Sequence, residues 1–167
     1  MTTWMRTLLQ HARWLALAAL VFTLGLQPAR AAAVEPGQPL PALQLKDQHG
    51  QDWRVNADTR LVLFANGRKA SNLVQSVLGA QPKGFLESRK AVYLADLSRM
   101  PSFITRTFAL PALREQPFTV GVVLDSALLQ GWPAAEDALM LIELDDGRVK
   151  ALRPVSSEAQ LRAALGL

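Results

Sequence analysis

The chain has 167 residues, half of them apolar, with 18 Lys and Arg against 14 Asp and Glu for a formal net charge of +4, and it has no cysteine. The missing thiols exclude disulfides, thiolate catalysis and lipid attachment through an N-terminal cysteine. With two histidines and no block of basic residues, a His-rich zinc site and a nucleic-acid-binding surface have little to build from.

At the N-terminus, Arg6, His11 and Arg13 run into the uncharged apolar stretch 14–26, and Pro28 leads to Ala29-Arg30-Ala31, the small-x-small pattern of a signal peptidase site. Residues 1–31 are therefore expected to be a cleaved secretory signal peptide, with cleavage after Ala33 as the second choice. A membrane-spanning anchor needs about 20 predominantly apolar residues, more than this stretch supplies. Arg6, Arg13 and Arg30 leave with the leader, so the remaining chain carries 15 basic and 14 acidic residues, a net +1. It shows no basic amphipathic helix, which makes anionic membrane surfaces poor partners and leaves no stable membrane anchor after leader removal. Such a leader implies a periplasmic location. Residues 32–167 contain no repeat or low-complexity tract and are expected to form a single domain held by packing alone.

In chain order, Pro39 and Pro41 keep the lead-in extended. Leu43 and Leu45 alternate with Gln44 and Lys46 as a half-buried strand, 47–50 turns the chain, and Trp53 and Val55 read as the return strand of a hairpin. The apolar run 61–65 suits a central strand buried on both faces. Leu73, Val74, Val77 and Leu78 follow at helical spacing, predicting a helix over 70–78 fed by the loop 66–69. A second buried strand is expected at 91–95.

Phe103, Ile104, Thr107, Phe108 and Leu110 have helical spacing within 101–115, where Pro111 must kink or restart the helix because it lacks an N–H and clashes with the turn before it. A third strand is expected at 120–125, a short helical turn at 126–132 and a fourth strand at 138–144. Asp145-Asp146-Gly147 signals a tight hairpin turn, with the return strand at 148–152. Ser156 is expected to open a last helix, with Glu158 in its first turn and Leu161 and Leu165 on its buried face.

The order is a hairpin, then βαβα, a further strand, a second hairpin and a closing helix, which predicts an α/β layered domain. The lead-in Gly37 to Gly50, the strand 61–65 and the block Val123-Leu124-Asp125 through Leu144-Asp145-Asp146-Gly147-Arg148-Val149 together resemble the thioredoxin superfamily, in its redoxin and peroxiredoxin-like branch. The chain is also similar to a small group of exported bacterial redoxin-like proteins with a Gly-Arg-x-Ala-like loop after the central strand, here Gly67-Arg68-Lys69-Ala70. The resemblance implies a thioredoxin-like three-layer fold, with a mixed central sheet, helices on both faces and an N-terminal β-hairpin.

Redox-active members of that superfamily place a thiolate at the start of the helix after the central strand, where the helix dipole lowers its pKa. Here the slot holds Arg68-Lys69-Ala70-Ser71-Asn72. Many members also carry a cis-proline before the strand facing the active site, where this chain has Asp137 before Ala138-Leu139. No catalytic residue is expected. Gly67, Arg68, Lys69 and Ser71 at a helix N-terminus offer backbone N–H groups, two cations and a hydroxyl to a carboxylate, phosphate or sulfate, and solvated surface charge explains the same residues. Asp96 and Asp125 close two strands, where carboxylates can bind Mg²⁺ or Ca²⁺ or simply cap turns. His49 sits in a predicted turn, while Trp132 and Trp53 suit either the core or a partner anchor. No cofactor and no metal is expected. The functional expectation is a redox-inactive binding module for a periplasmic protein or small anionic ligand. The alternative is a redoxin-family oxidoreductase using a partner's thiols or a site of another kind.

Overall fold

The computed structural model describes residues 33–167 except Glu136. The expected leader and the cleavage site after Ala31 lie outside the described residues. Ala32–Leu167 makes one compact unit. Among the described residues no helix is long and apolar enough to cross a membrane.

Seven strands form one mixed sheet: β1 (Leu45–Asp47), β2 (Asp52–Trp53), β3 (Leu61–Ala65), β4 (Ala91–Asp96), β5 (Val120–Val123), β6 (Leu139–Asp145) and β7 (Arg148–Val155), in the order β2-β1-β5-β4-β3-β6-β7. The run of apolar residues in β3 buries it between a parallel neighbour, β4, and an antiparallel one, β6. The β1–β2 hairpin adds antiparallel to β5. Its tip is held by the buried Gln48, whose Nε2 donates to the Phe118 carbonyl at 2.8 Å and whose Oε1 accepts from the Val120 N–H at 2.9 Å. Both amide groups of this side chain are thus satisfied, which makes its burial tolerable.

Asp146 and Gly147 turn β6 into β7 with φ of 48° and 72°, the paired positive values of a tight hairpin. β7 runs three residues beyond the expected 148–152 and includes Pro154. Proline is tolerated there because β7 is an edge strand with no further neighbour to receive an N–H. The first half of that edge is covered by the lead-in: Gly37 N–H donates to the Val149 carbonyl at 2.7 Å and Val149 N–H to the Gln38 carbonyl at 2.9 Å.

The helices are α1 (Arg68–Leu78), α2 (Phe85–Ser88), a composite helix α3 over 102–114, and α4 (Glu158–Leu165). All four send apolar side chains to one sheet face, where Val74, Val77, Leu86, Leu113 and Leu161 pack with Leu63, Tyr93 and Leu141. The opposite face buries Val62, Phe64, Leu94, Ile142, Trp53 and Trp132, covered by the lead-in from Val34 and by a 3-10 turn, Ser126–Leu129. The two layers around the sheet are therefore unequal. Right-handed crossovers explain this: β3-α1-β4 and β4-α3-β5 both step the same way along the sheet, so both helices land on one face.

α1 opens at Arg68, two residues before the expected start at 70, so Arg68 and Lys69 lie in the helix and not in the loop before it; α2 was not expected, and α4 and α3 also differ from the sequence expectation. α4 is capped by Ser157, one residue later than expected; its Oγ accepts from the Gln160 N–H, and Gln160 Oε1 reaches back to the Ser156 N–H at 3.0 Å. α3 is an α-turn (Ser102–Ile104), a π-helical turn (Thr105–Ala109) and a second α-segment (Leu110–Arg114). Leu110 N–H bonds to the Thr105 carbonyl, five residues back. The widened turn makes room for Pro111, whose ring an α-turn would drive into the carbonyl four residues before it. Thr105 and Leu113 face the interior, whereas Phe103 and Phe108 are 65% and 60% exposed.

Candidate functional site

β3, β4 and β5 run parallel, and their C-terminal ends open on one edge of the sheet, the usual location of sites in α/β domains. Asn66 and Gly67 link β3 to α1. Gly67 occupies the N-cap with φ −172° and ψ 171°, extended backbone open to any residue, and open space surrounds its Cα. No side chain caps α1 and no acidic residue sits in its first turn. Its leading N–H groups and the positive end of its dipole thus face the sheet edge without a counter-charge from the helix itself.

This N-terminus borders a cleft of about 490 Å³ lined by Gly67, Arg68, Lys69, Arg99, Asp137 and the small side chains of Ala134, Ala135 and Ala138. Lys69 Nζ pairs with Asp137 Oδ2 at 2.5 Å. Both side chains are well exposed, so the pair contributes little to stability and instead positions Lys69 across the mouth. Asp137 adopts φ 58°, a left-handed conformation that Asp tolerates better than most residues. Arg68 and Arg99 have no carboxylate partner among the described residues. Among the described residues, three cations and one carboxylate line the cleft beside the helix dipole.

Gly67, Arg68 and Lys69 are therefore brought together at the cleft. Ser71 is not part of its wall: half-buried, it turns its hydroxyl toward the Tyr93 phenol on β4. Burial pushes the Tyr93 pKa up to about 12, with Ser71 acting in the opposite direction. The two groups do not meet hydrogen-bond geometry, and the phenol oxygen has no partner. Asp96 and Asp125 both do turn duty: Asp96 Oδ1 accepts from Ser98 N–H and Asp125 Oδ1 from Ala127 N–H, each at 2.9 Å. His49 lies in the exposed hairpin turn, its N–H bound to Asp47 Oδ1. Trp132 is core, edge-on to Phe64 at 5.3 Å, and Trp53 is buried on the same sheet face.

Arg99 and Asp137 are site residues that the sequence reading did not select. Both follow or precede a strand at the open edge, Arg99 three residues after β4 and Asp137 two before β6. A search for charges within a few residues of parallel strand ends finds Arg99. The path of the 133–138 segment that delivers Asp137 carries no comparable sequence signal.

No protein-family model and no curated protein matches the sequence. Solved structures do match. The exposed lipoprotein thioredoxin of Streptococcus pneumoniae superposes with a TM-score of 0.55 at 11% identity, over 75% of this chain and 98% of that one. The fold is thioredoxin-like. The thio-disulfide isomerase of Thermus thermophilus (TM-score 0.51, 19% identity, 79% of this chain and 96% of that one) shares it. So does a conserved protein of unknown function from Bacteroides fragilis (TM-score 0.50, 16% identity, 78% and 98%). In this thioredoxin-like domain the start of α1 carries Arg68 and Lys69, and the whole chain lacks cysteine. Thiol-disulfide exchange through a side chain of its own is therefore closed to it. At the place expected for a cis-proline, the thioredoxin-like domain has Asp137-Ala138, and no peptide bond among the described residues is cis.

Proposed function

We propose that this chain is an exported, redox-inactive thioredoxin-like protein of the redoxin branch, acting in the periplasm as a binding module. Its ligand is a small anion, or an anionic group on a protein partner, held at the start of α1. One observation carries the reading: Arg68 and Arg99 flank an uncapped helix N-terminus with no carboxylate partner among the described residues, in the slot where redox-active relatives of the fold keep a thiolate. Lys69, held by Asp137, is poised to add a third contact by exchanging that carboxylate for the ligand.

Thermal unfolding of Ala32–Leu167 with added phosphate, sulfate or simple carboxylates tests the anion site. A ligand at a hundred times its Kd stabilises by about 2.7 kcal/mol. The shift should vanish in Arg68→Ala/Arg99→Ala. No stabilisation by any of these anions, or an equal shift in the variant, refutes the anion site. Insulin-disulfide reduction and thiol-dependent peroxide consumption test the redox-inactive half. Turnover above a no-protein control in either assay refutes that half.

A further inference from the structure

Asn66 and Gly67, between β3 and α1, form the only Asn-Gly step in the sequence; Asn56 precedes Ala57 and Asn72 precedes Leu73. Such a step permits attack of a backbone nitrogen on the side-chain amide just before it. The attack needs a nitrogen free of hydrogen bonds, no side chain shielding it and an amide free to turn. Gly67 has no Cβ, and one built there would meet nothing within 4 Å. Its carbonyl accepts from the Ser71 N–H at 3.0 Å, but its own N–H donates to no acceptor among the described residues. Asn66 is half-buried on the wall of the cleft at the start of α1, and its side-chain amide makes no hydrogen bond among the described residues.

We propose that Asn66 is a modification site, deamidating through the Gly67 nitrogen to aspartate and isoaspartate. Hydroxide removes the Gly67 N–H proton, and the nitrogen forms a bond to Asn66 Cγ. The Cγ–Nδ2 bond then breaks and ammonia leaves, taking its extra proton from water. Water opens the resulting succinimide at one of its two carbonyls. Cleavage of the new N–Cγ bond leaves aspartate, and cleavage of the original backbone C–N bond leaves isoaspartate, with the main chain running through Cβ and Cγ. In sum, one water is consumed and one ammonia is released.

The surroundings favour the step. The start of α1 has no acidic residue and no side-chain cap, so its positive dipole end bears on the Gly67 nitrogen and on the oxyanion that develops at Asn66. Positive surroundings favour the deprotonated amide, and Arg68, Lys69 and Arg99 line the same cleft. The described carboxylates that end β4, follow β5 and precede β6 are engaged: Asp96 and Asp125 hold turn N–H groups, and Asp137 pairs with Lys69. Asn72, by contrast, lies inside α1, and the Leu73 side chain shields the nitrogen that would attack it. The new carboxylate at position 66 lies beside the cations of the cleft, so the modified chain carries an anion of its own where a ligand would bind. This consequence rests on the anion-binding reading, whereas the covalent step does not.

Incubation of the purified chain at neutral and at mildly alkaline pH, followed by tryptic digestion and mass mapping against a fresh sample, tests the modification. The fragment Leu61–Arg68 holds Asn66 as its one amide side chain. It should gain the mass difference between an amide and an acid, separate into aspartate and isoaspartate forms, and convert in proportion to hydroxide. The fragments holding Asn56 and Asn72 should keep their mass. Gly67→Ala, which the open space admits, should slow the conversion about tenfold or more by shielding the attacking nitrogen, with a circular dichroism spectrum like the parent's showing the fold intact. An unchanged Leu61–Arg68 fragment, conversion confined to the urea-unfolded chain, or equal conversion in Gly67→Ala overturns the proposal. For the cleft, Asn66→Asp should abolish the rise in thermal midpoint produced by phosphate, and Asn66→Ser should keep it. An equal rise in Asn66→Asp overturns the blocking of the cleft by the new carboxylate. A parent with no phosphate response refutes the anion site alone, and the mass map still decides the modification.

Discussion

Gly121 in β5 leaves room for the indole of Trp53, from the N-terminal hairpin, to pack directly on the strand backbone. A Cβ at this position would lie 2.5 Å from Trp53 Cδ2, 2.6 Å from Cε2 and 2.7 Å from Cε3. Carbon atoms in good contact sit about 3.5–4.0 Å apart, so the indole must retreat by about 1 Å. It has nowhere to go: Trp53 is buried, and its backbone is fixed in register against Leu45. Overpacking of this kind costs about 1–3 kcal/mol. For a domain of this size that lowers the thermal midpoint of Gly121→Ala by roughly 4–12 °C, measured by calorimetry. In a Trp132→Phe background Trp53 is the one tryptophan left in Ala32–Leu167, so its fluorescence reports the displacement directly. Trp53→Leu should relieve the clash, so the two substitutions should couple by at least about 1 kcal/mol. A Gly121→Ala protein as stable as the parent, or strict additivity with Trp53→Leu, refutes the contact.

Tyr93 is the chain's one tyrosine, which makes its ionisation readable by absorbance. Its pKa is pushed by burial from 10.0 to about 12. The folded state therefore holds the proton more tightly than the unfolded state, and the resulting stability is complete below pH 10 and lost as the pH rises through about 12. Tyr93→Phe should flatten that alkaline loss; tyrosinate appearing near pH 10 in folded protein refutes it. Ser157→Ala and Gln160→Ala should each cost about 1 kcal/mol by removing one half of the α4 cap. An unchanged urea midpoint in both would show the cap to be without weight.

The strands were legible because their chemistry is local. Val62, Leu63 and Phe64 have no polar residue among them, which only a strand covered on both faces accepts, and Asp146-Gly147 carries the turn preference in its own backbone freedom. The helix 102–114 was legible as a helix but not in its facing. Apolar residues at helical spacing imply a buried stripe, yet one extra residue in the turn before Pro111 rotates Phe103 and Phe108 into solvent. Whether a proline kinks, breaks or widens a helix depends on the packing of Thr105 and Leu113, which are set by the sheet. At the cleft, Gly67, Arg68 and Lys69 were readable from their place after the central strand. Arg99 and Asp137 enter it only through the parallel order β3, β4 and the return to β6, and Ser71 leaves it because the helical rotation three residues on points it inward at Tyr93.

The two borders of the sheet limit how this protein can meet others. At one border β2 is two residues long; at the other, the lead-in already occupies the start of β7, and Pro154 withholds a donor from the remainder. Arg148, Lys150 and Arg153 add charge along that rim. A foreign strand finds only a short or partly covered ladder on either side. Strand addition at either border is therefore disfavoured, and recognition is left to the side chains and to the free N–H groups at the start of α1.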